Sequence, residues 1–427
     1  MKNDASGVQA ASPPTVHTMD NGMTVLVEPM AGVKSAAMRL RLPAGAASDP
    51  VERCGSATVL CEMALRGAGD RDARQFTEHL DGLGLTRGDG VGILSITYRA
   101  SGLAKNVLAG LPAHADLVRR PHLKDDGFGP AREQALQSLA GLEDNPQQLN
   151  GAKLVEWHWP GPFSRNSTGE KSHLEKLTAE AVRDDFADRW RPAGAILSVA
   201  GDVEADDVIE RAHKLFGDWS GRANEPIEPT PPPGQFKFIE QDSQQTHIGL
   251  AYRTLPATHA DQYKAKLAVE VLSGGMSGRL FSEIREKKGL CYSVHAGYSS
   301  LAGAELADPI ASVFCYAGTS NERAQATLDA LVHELNRLKE GVTQAELDRA
   351  RVGLKAGTVM SGESTASRAS SLISDYTTHG RIRTLDEILA AVDAVTVDDL
   401  NAFLSDHPPG DFTVVLTGPK ALDLPGA

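Results

Sequence analysis

The sequence predicts an α+β protein built from two similar domains, and three observations lead to this prediction. Segments with the two-residue alternation of strands are interspersed with segments whose apolar residues repeat at helical spacing. A proline-rich stretch, residues 224–234, divides the chain into halves of similar size. The halves also share motifs in the same order, which indicates duplication of a domain. We therefore expect each half to form a mostly antiparallel sheet with helices packed on it.

The first half begins with a predicted hairpin. Asp20-Asn21-Gly22 separates two alternating runs between Val16 and Glu28, and these residue types suit a tight turn. Further strand and helix patterns follow in order along this half. Strands are predicted over 36–42, 91–99 and 196–199, and helices over 55–65, 73–83, 105–119, 128–142, 178–190 and 206–216.

The boundary between the halves lies in Asn224-Glu-Pro-Ile-Glu-Pro-Thr-Pro-Pro-Pro-Gly234. Its five prolines oppose regular secondary structure and favour an extended, semi-rigid linker. We expect one domain over residues 15–223, the linker over 224–234 and a second domain over 235–420.

Two pairs of segments carry the evidence for duplication. A capped helix, a short loop and a buried strand ending in glycine occur at 177–201 and again at 395–418. Earlier in each half, at 60–84 and 268–290, a helix and a glycine-containing turn precede a second helix that ends at glycine. A repeat this long indicates duplicated domains rather than a solenoid.

Composition excludes several classes of protein. With 41% hydrophobic and 23% charged residues, the chain is typical of a soluble globular protein. The net charge of −13 argues against a nucleic-acid-binding surface. The cysteines lack the spacing of a metal site or a disulfide framework; they are Cys54, Cys61, Cys291 and Cys315.

Targeting signals are also absent from the sequence pattern. No apolar run is long enough to span a bilayer, and the first residues lack the apolar segment of a signal peptide. We expect a cytoplasmic protein without a membrane span, or a periplasmic one if a signal peptide has been removed.

One stretch, Ser277–Val294, combines a helix signal and a strand signal around a glycine. Ile284 lies on the apolar face of the predicted helix with Arg285 at its edge, and Gly289 suits the helix end. Tyr292 follows Arg285 by seven residues, near the start of the next strand. Both side chains donate hydrogen bonds, so the pair suits a peptide carbonyl oxygen or the oxyanion it becomes under attack.

This stretch resembles a family signature. The run Gly274-Gly-Met-Ser-Gly-Arg-Leu-Phe-Ser-Glu-Ile-Arg-Glu-Lys-Lys-Gly-Leu-Cys-Tyr-Ser-Val294 is similar to one in the carboxyl-terminal half of the insulinase-type (M16) zinc peptidases. The resemblance covers residues 15–420 and implies the two-domain fold of these LuxS-like metallohydrolases. In the family, an arginine and a tyrosine seven residues apart help hold the scissile carbonyl. The matching residues here are Arg285 and Tyr292.

The family's catalytic residues have no counterpart in this chain. The family binds Zn²⁺ through His-x-x-Glu-His on a helix, where the Glu activates the metal-bound water, and through a Glu on a later helix. The resemblance assigns the first His position to Thr58, the general base to Cys61, the second His to Glu62 and the third ligand to Gln137. None of the thirteen histidines belongs to such a motif. We expect no metal in this chain.

The resemblance therefore implies a non-catalytic subunit of a heteromeric zinc metalloendopeptidase. Such a chain is inactive alone, pairs with a zinc-bearing homologue in a heterodimer or larger assembly, and supplies Arg285 and Tyr292 to bind the substrate peptide. The alternative is a purely structural scaffold subunit without a role in proteolysis. A third hypothesis, an enzyme using other residues such as Cys61, requires a His or a cation beside the thiol, and the sequence shows neither.

Overall fold

The structure of this protein is a computed structural model that describes residues 13–424. The start of the chain, on which the expectation about a signal peptide rests, lies outside the described residues. Among those that are described, no helix combines the length and the apolar character needed to cross a membrane.

The strands are numbered in chain order. They are β1 (Thr15–Thr18), β2 (Thr24–Pro29), β3 (Ser35–Leu42), β4 (Gly67–Ala68), β5 (Arg71–Asp72), β6 (Thr86–Val91), β7 (Ile96–Leu103), β8 (Ile196–Gly201), β9 (Phe236–Glu240), β10 (Gln245–Arg253), β11 (Ser293–Leu301), β12 (Ile310–Ser320) and β13 (Thr413–Gly418).

The helices are also numbered in chain order. They are α1 (Ser56–Ala64), α2 (Ala73–Gly82), α3 (Ala104–Arg119), α4 (Asp125–Glu143), α5 (Pro146–His158), α6 (Lys171–Leu174), α7 (Ala179–Arg189), α8 (Ala205–Phe216), α9 (Gln262–Ser273), α10 (Ala324–Asn336), α11 (Gln344–Gly362), α12 (Thr365–His379), α13 (Leu385–Asp393) and α14 (Val397–Asp406). A π-helix spans Leu280–Lys287, and short 3₁₀ turns span Ala46–Ser48, Val51–Arg53, Asn321–Arg323 and Arg337–Glu340.

Two compact units contain these elements. Among the described residues, the first comprises 13–135, 167–225 and 361–376, and the second comprises 136–166, 226–360 and 377–424. Each unit therefore includes a segment from the opposite half of the chain, unlike the contiguous domains expected from the sequence. Local hydrophobic periodicity shows that a helix has a face to bury, but it does not identify the sheet that will cover that face.

The main sheets of the two units have the same topology. The order is β2-β8-β3-β7-β6 in the first unit, with β1 added outside β2, and β9-β13-β10-β12-β11 in the second. In both, one pair is parallel, β2 with β8 and β9 with β13, and the remaining neighbours are antiparallel. The predicted α+β fold class is confirmed, and the matched strand order supports duplication of a domain.

The repeated segments at the end of each half occupy equivalent places. Thr178 caps α7 and Thr396 caps α14, each through its side-chain oxygen. The strands that follow, β8 and β13, are buried along their whole length. Each lies between a parallel and an antiparallel neighbour near the middle of its sheet, which explains the continuous apolar run in the sequence.

A helix from the other half of the chain packs on each sheet. In the second unit, Asn150 of α5 donates hydrogen bonds to the carbonyl oxygens of His247 and Val415, at 3.1 and 2.9 Å. In the first unit, Arg368 of α12 pairs with Glu28 of β2 at 2.5 Å. These exchanged helices account for the discontinuous units.

Two predicted elements differ in the structure. The strand predicted over 91–99 is two strands, because β6 ends at Val91 and β7 begins at Ile96. The apolar residues between them turn the chain, and a backbone hydrogen bond from Gly92 to the carbonyl of Ser95 closes the turn at 2.8 Å. The helix predicted around Ile284 is a π-helix rather than an α-helix.

Candidate functional site

The π-helix places Arg285 just before a sharp change of chain direction. Leu280 and Ile284 of this helix are fully buried and anchor it in the core of the second unit. The helix ends where the Lys288 N–H donates to the carbonyl of Glu283 at 3.3 Å, a wide π-type turn. Gly289 follows with φ +60°, a left-handed conformation that side-chain-bearing residues rarely adopt.

Tyr292 lies directly ahead of β11. Its N–H donates to the Gly318 carbonyl of β12 at 3.0 Å, so its backbone is held against the sheet. Its side chain is 80% exposed, an unusual exposure for a large aromatic residue. The sheet thus fixes the position of the residue while its phenol group faces solvent.

The structure brings Arg285 and Tyr292 into direct contact. The guanidinium carbon of Arg285 lies 5.4 Å from the centre of the Tyr292 ring and 4.7 Å from that of Phe281. Both distances fall within the cation–π range. Among residues 13–424, neither the guanidinium nor the Tyr292 hydroxyl has a hydrogen-bond or ion-pair partner. Aromatic contacts therefore orient the guanidinium and leave its N–H groups available to a ligand.

Thr58, Cys61 and Glu62, three of the four positions that the resemblance assigns to the family's catalytic residues, lie on α1 in the first unit. Thr58 donates its hydroxyl hydrogen bond to the Ser167 carbonyl at 2.5 Å. A threonine hydroxyl is a weak zinc ligand compared with imidazole, and this one already has a partner. The residue at the first assigned ligand position therefore makes a structural hydrogen bond.

Cys61, at the general-base position, is 2% exposed. Its thiol contacts Asp89 of β6, with 3.7 Å between Sγ and Oδ2. Burial, reinforced by the negative charges of Asp89 and Glu62, raises the pKa of Cys61 far above its usual value, although a hydrogen bond with Tyr98 opposes this. A buried, protonated thiol is a poor nucleophile, so the structure gives no support to a cysteine enzyme.

Glu62, at the second histidine position, is half-buried. Burial raises its pKa, the charge of Asp89 raises it further, and Arg66 and a hydrogen bond from Gln134 oppose the change. Gln134 of α4 is thus the residue that contacts Glu62, one helical turn before Gln137. Gln137 itself belongs to the segment of α4 that is assigned to the second unit. The sequence analysis did not select Gln134 or Asp89, because neither residue belongs to a recognisable motif.

One group of residues has a metal-ligand composition. Within the described residues, Cys54, Glu170 and His173 place a ligand atom each within 4.8 Å of one another. They lie outside the family's zinc positions, and Glu170 is exposed. Of the three assigned positions on α1, only Glu62 offers a charged oxygen as a metal ligand.

Comparison with known proteins finds a family match over part of the chain. Residues 176–354 match the family described as the Peptidase M16 inactive domain. This part of the chain is therefore similar to an M16 peptidase inactive domain. The matched segment includes the π-helix that carries Arg285, and it includes Tyr292.

Individual relatives are similar to this chain over more of its length. An "Uncharacterized zinc protease" from Rickettsia felis is 28% identical over 389 residues, which cover 90% of this chain and 92% of the relative. The "Uncharacterized zinc protease YmxG" from Bacillus subtilis is 24% identical over 411 residues, covering 95% and 98%. The chain thus spans nearly the whole length of both.

Solved structures share the fold. A peptidase M16 inactive domain from Pseudomonas fluorescens superposes with a TM-score of 0.85 at 22% identity, covering 97% of this chain and all of that one. A protease from Helicobacter pylori gives a TM-score of 0.84 at 22% identity, covering 95% and 99%. The M16-type fold therefore extends over both compact units.

Proposed function

We propose that this chain is the non-catalytic subunit of a two-chain zinc peptidase of the M16 type. It pairs with a zinc-bearing homologue, which holds the metal and the general base. This chain contributes Arg285 and Tyr292, whose donors bind the carbonyl oxygen of the scissile peptide bond. The single observation that carries the proposal is the contact between these two side chains, whose hydrogen-bond donors have no partner among the described residues.

The residues on α1 support the proposal that this chain does not itself catalyse peptide cleavage. A catalytic zinc ion needs three strong protein ligands and a general base near its water. Thr58 is engaged with a backbone carbonyl, Cys61 is buried, and Glu62 supplies one carboxylate. The helix that carried the chemistry in the family is retained as a packing element.

Arg285 and Tyr292 support participation in peptide binding. A structural role for Tyr292 would normally bury its ring, whereas 80% of this side chain is exposed. A structural role for Arg285 would normally pair its charge, yet its contacts are with aromatic rings. A donor pair that is oriented and left open is suited to charge that develops during attack on a carbonyl.

Reconstitution with a zinc-bearing M16 homologue from the same source tests the proposal. Each chain is assayed alone and as a mixture, by gel filtration and by cleavage of a quenched peptide library. Obligate interfaces bury roughly 2,000 Å² or more, so we expect the complex to survive gel filtration. We also expect peptide cleavage by the pair and none by this chain alone.

Failure to form a complex, or cleavage by this chain alone, would contradict the proposal. A complex whose turnover does not depend on Arg285 or Tyr292 would instead favour the scaffold hypothesis.

A further inference from the structure

A basic pocket lies on the first unit, and none of its described lining residues belongs to α1. It has a volume of about 350 Å³ and is lined by residues of β3, β6, β7 and the first two turns of α12. Its polar lining consists of guanidinium and hydroxyl groups, from Arg39, Arg87, Arg99, Ser101, Ser367 and Ser370, together with Thr86. Among the described residues, no carboxylate lines this pocket.

Two of the arginines face each other across the sheet. Arg39 of β3 and Arg99 of β7 are direct partners in the antiparallel register. Like charges in this position are destabilising unless an opposite charge lies between them. Burial lowers the pKa of Arg39, and the positive charge of Arg99 lowers it further. The positive charge of the pair is therefore not compensated inside the pocket.

The partners of the arginines leave donors unused. Arg39 donates to the hydroxyl of Ser370 on α12. Arg87 pairs with Asp81 at 2.5 Å, which compensates its charge. Arg99 has no hydrogen-bond or ion-pair partner within residues 13–424. Its guanidinium is the strongest unpaired donor group of the pocket.

A glycine gives Arg99 its position. Gly88 of β6 is the register partner of Arg99, and a β-carbon on Gly88 would lie 2.5 Å from the Arg99 Nε. The guanidinium therefore lies over the bare backbone of β6, where any side chain would displace it. The first turn of α12 also lines the pocket, at Ala366 and Ser367. The positive end of the helix dipole lies there and favours negative charge.

We propose that this pocket binds a carboxylate of a peptide, with Arg39 and Arg99 as the charged donors and the serine hydroxyls as the neutral ones. Two planar guanidinium groups match the two oxygens of a carboxylate. That the bound carboxylate belongs to a peptide rests on the proposed function. That the pocket binds an oxyanion does not. Inorganic phosphate presents similar chemistry, so the test separates the two sources.

The test uses the full chain alone and three short dye-labelled peptides that differ in their carboxylates. One has a single aspartate and an amidated end, one has asparagine in its place, and one has the asparagine with a free carboxyl end. Fluorescence anisotropy gives each dissociation constant, and inorganic phosphate serves as competitor. We expect the carboxylate-bearing peptides to bind more tightly by about tenfold to a hundredfold, the usual effect of a charge-assisted hydrogen bond.

Variants connect this preference to the pocket. Arg99→Gln should remove the preference, and Gly88→Ala should weaken it, because the added methyl displaces the guanidinium without changing the net charge. Arg74→Gln is the matched control, since Arg74 is an exposed residue of α2 that pairs with Glu78 outside the pocket. Thermal melting checks that each variant is folded.

Three outcomes would overturn the proposal. They are equal binding of the carboxylate-free peptide, a preference that persists in Arg99→Gln, and an equal loss in Arg74→Gln. If none of the peptides binds, and titration calorimetry shows that inorganic phosphate does, the peptide is the wrong source of the oxyanion. The zinc-bearing partner is absent from this experiment. The binding result can therefore be interpreted even if the proposed two-chain complex does not form.

Discussion

The side-chain oxygen of Asn150 lies 2.4 Å from the point where a β-carbon on Gly249 would stand. Asn150 of α5 is fully buried, and its amide nitrogen donates to backbone carbonyls on β10 and β13. Gly249, in the middle of β10, is therefore the residue that allows α5 to approach the sheet. A helix from the first half of the chain depends on this contact to complete the second unit.

Gly249→Ala should destabilise the protein. The added methyl overlaps the Asn150 amide, so either the helix shifts or the buried hydrogen bonds lengthen. Overpacking of this kind costs about 1–3 kcal/mol of the free energy of unfolding. Urea-induced unfolding followed by circular dichroism measures the change.

Gly297→Ala is the matched control, because Gly297 of β11 has no atom within 4 Å of the position of an added β-carbon. Equal stability of the Gly249 and Gly297 variants would show that α5 does not need the close approach.

Arg285 and Tyr292 should affect turnover by the reconstituted pair more than substrate binding. Donors that act on the developing oxyanion stabilise the transition state, and loss of one lowers the rate by about a hundredfold to a thousandfold. Tyr292→Phe removes only the hydroxyl and keeps the ring beside Arg285. Arg285→Lys should not restore turnover, because an ammonium group lacks the planar set of donors.

Steady-state kinetics gives kcat and KM separately for each variant, with complex formation checked by gel filtration. Lys288→Gln is a useful control, since Lys288 is an exposed cation at the end of the same helix. If Tyr292→Phe and Arg285→Ala assemble and cleave at the wild-type rate, the two residues have a structural role.

The zinc positions on α1 should remain without metal in the isolated chain. Thr58, Glu62 and Gln134 or Gln137 offer a single carboxylate, whereas a stable zinc site needs about three strong ligands. Metal content after dialysis of protein purified without chelators is the measurement, with an expected zinc content far below stoichiometric.

Cys54→Ser provides the control, because Cys54 belongs to the other group with a metal-ligand composition. Zinc that survives dialysis in both proteins would contradict this prediction. Zinc that disappears with the thiol would be assigned to Cys54, Glu170 and His173.

His158 should make the protein sensitive to mild acid. Its ring nitrogens contact the hydroxyls of Thr413 and Ser312 at 2.9 and 2.8 Å. Burial, with a smaller effect of the Arg253 charge, lowers the pKa of His158 to about 4. The unfolded histidine titrates near its usual value of about 6.5.

The direction of this pH effect follows from which state takes up the proton. Above the unfolded pKa both states are neutral, so the native state has its full stability. As the pH falls from about 6.5 towards 4, only the unfolded state takes up the proton, and the free energy of unfolding decreases by up to about 3 kcal/mol. His158→Gln should lose this part of the pH dependence, and His333→Gln, at an exposed position of α10, should retain it. Urea unfolding at several pH values is the measurement, and equal slopes for His158→Gln and wild type would refute the assignment.

Local signals in the sequence predicted most of the elements. Asp20-Asn21-Gly22 predicted the first hairpin, and Gly22 has the positive φ of +82° that such a turn requires. Thr178 and Thr396 predicted the starts of α7 and α14, where each side chain caps the first turn. These features depend on residues close in sequence, so the printed chain already contains the interactions that produce them.

Other features depend on partners far away in the chain. Arg285 and Tyr292 could be selected by their spacing, but their stacking geometry depends on a π-helix and on the register of β11 against β12. The contact of Gln134 with Glu62 joins α4 to α1, and no periodicity distinguishes Gln134 from Gln137. A difference of one helical turn is decided only by how the two helices pack.

The sequence by itself determined the first hairpin, the helix caps, the duplicated order of elements and the absence of a His-x-x-Glu-His motif. Each of these is encoded in residue types over short spans. Tertiary structure alone decided that α5 completes the second unit, that Arg39 faces Arg99, and that Cys54 lies beside His173. These juxtapositions arise because buried faces must find complementary surfaces, and the surfaces that fit best come from segments that are distant in sequence.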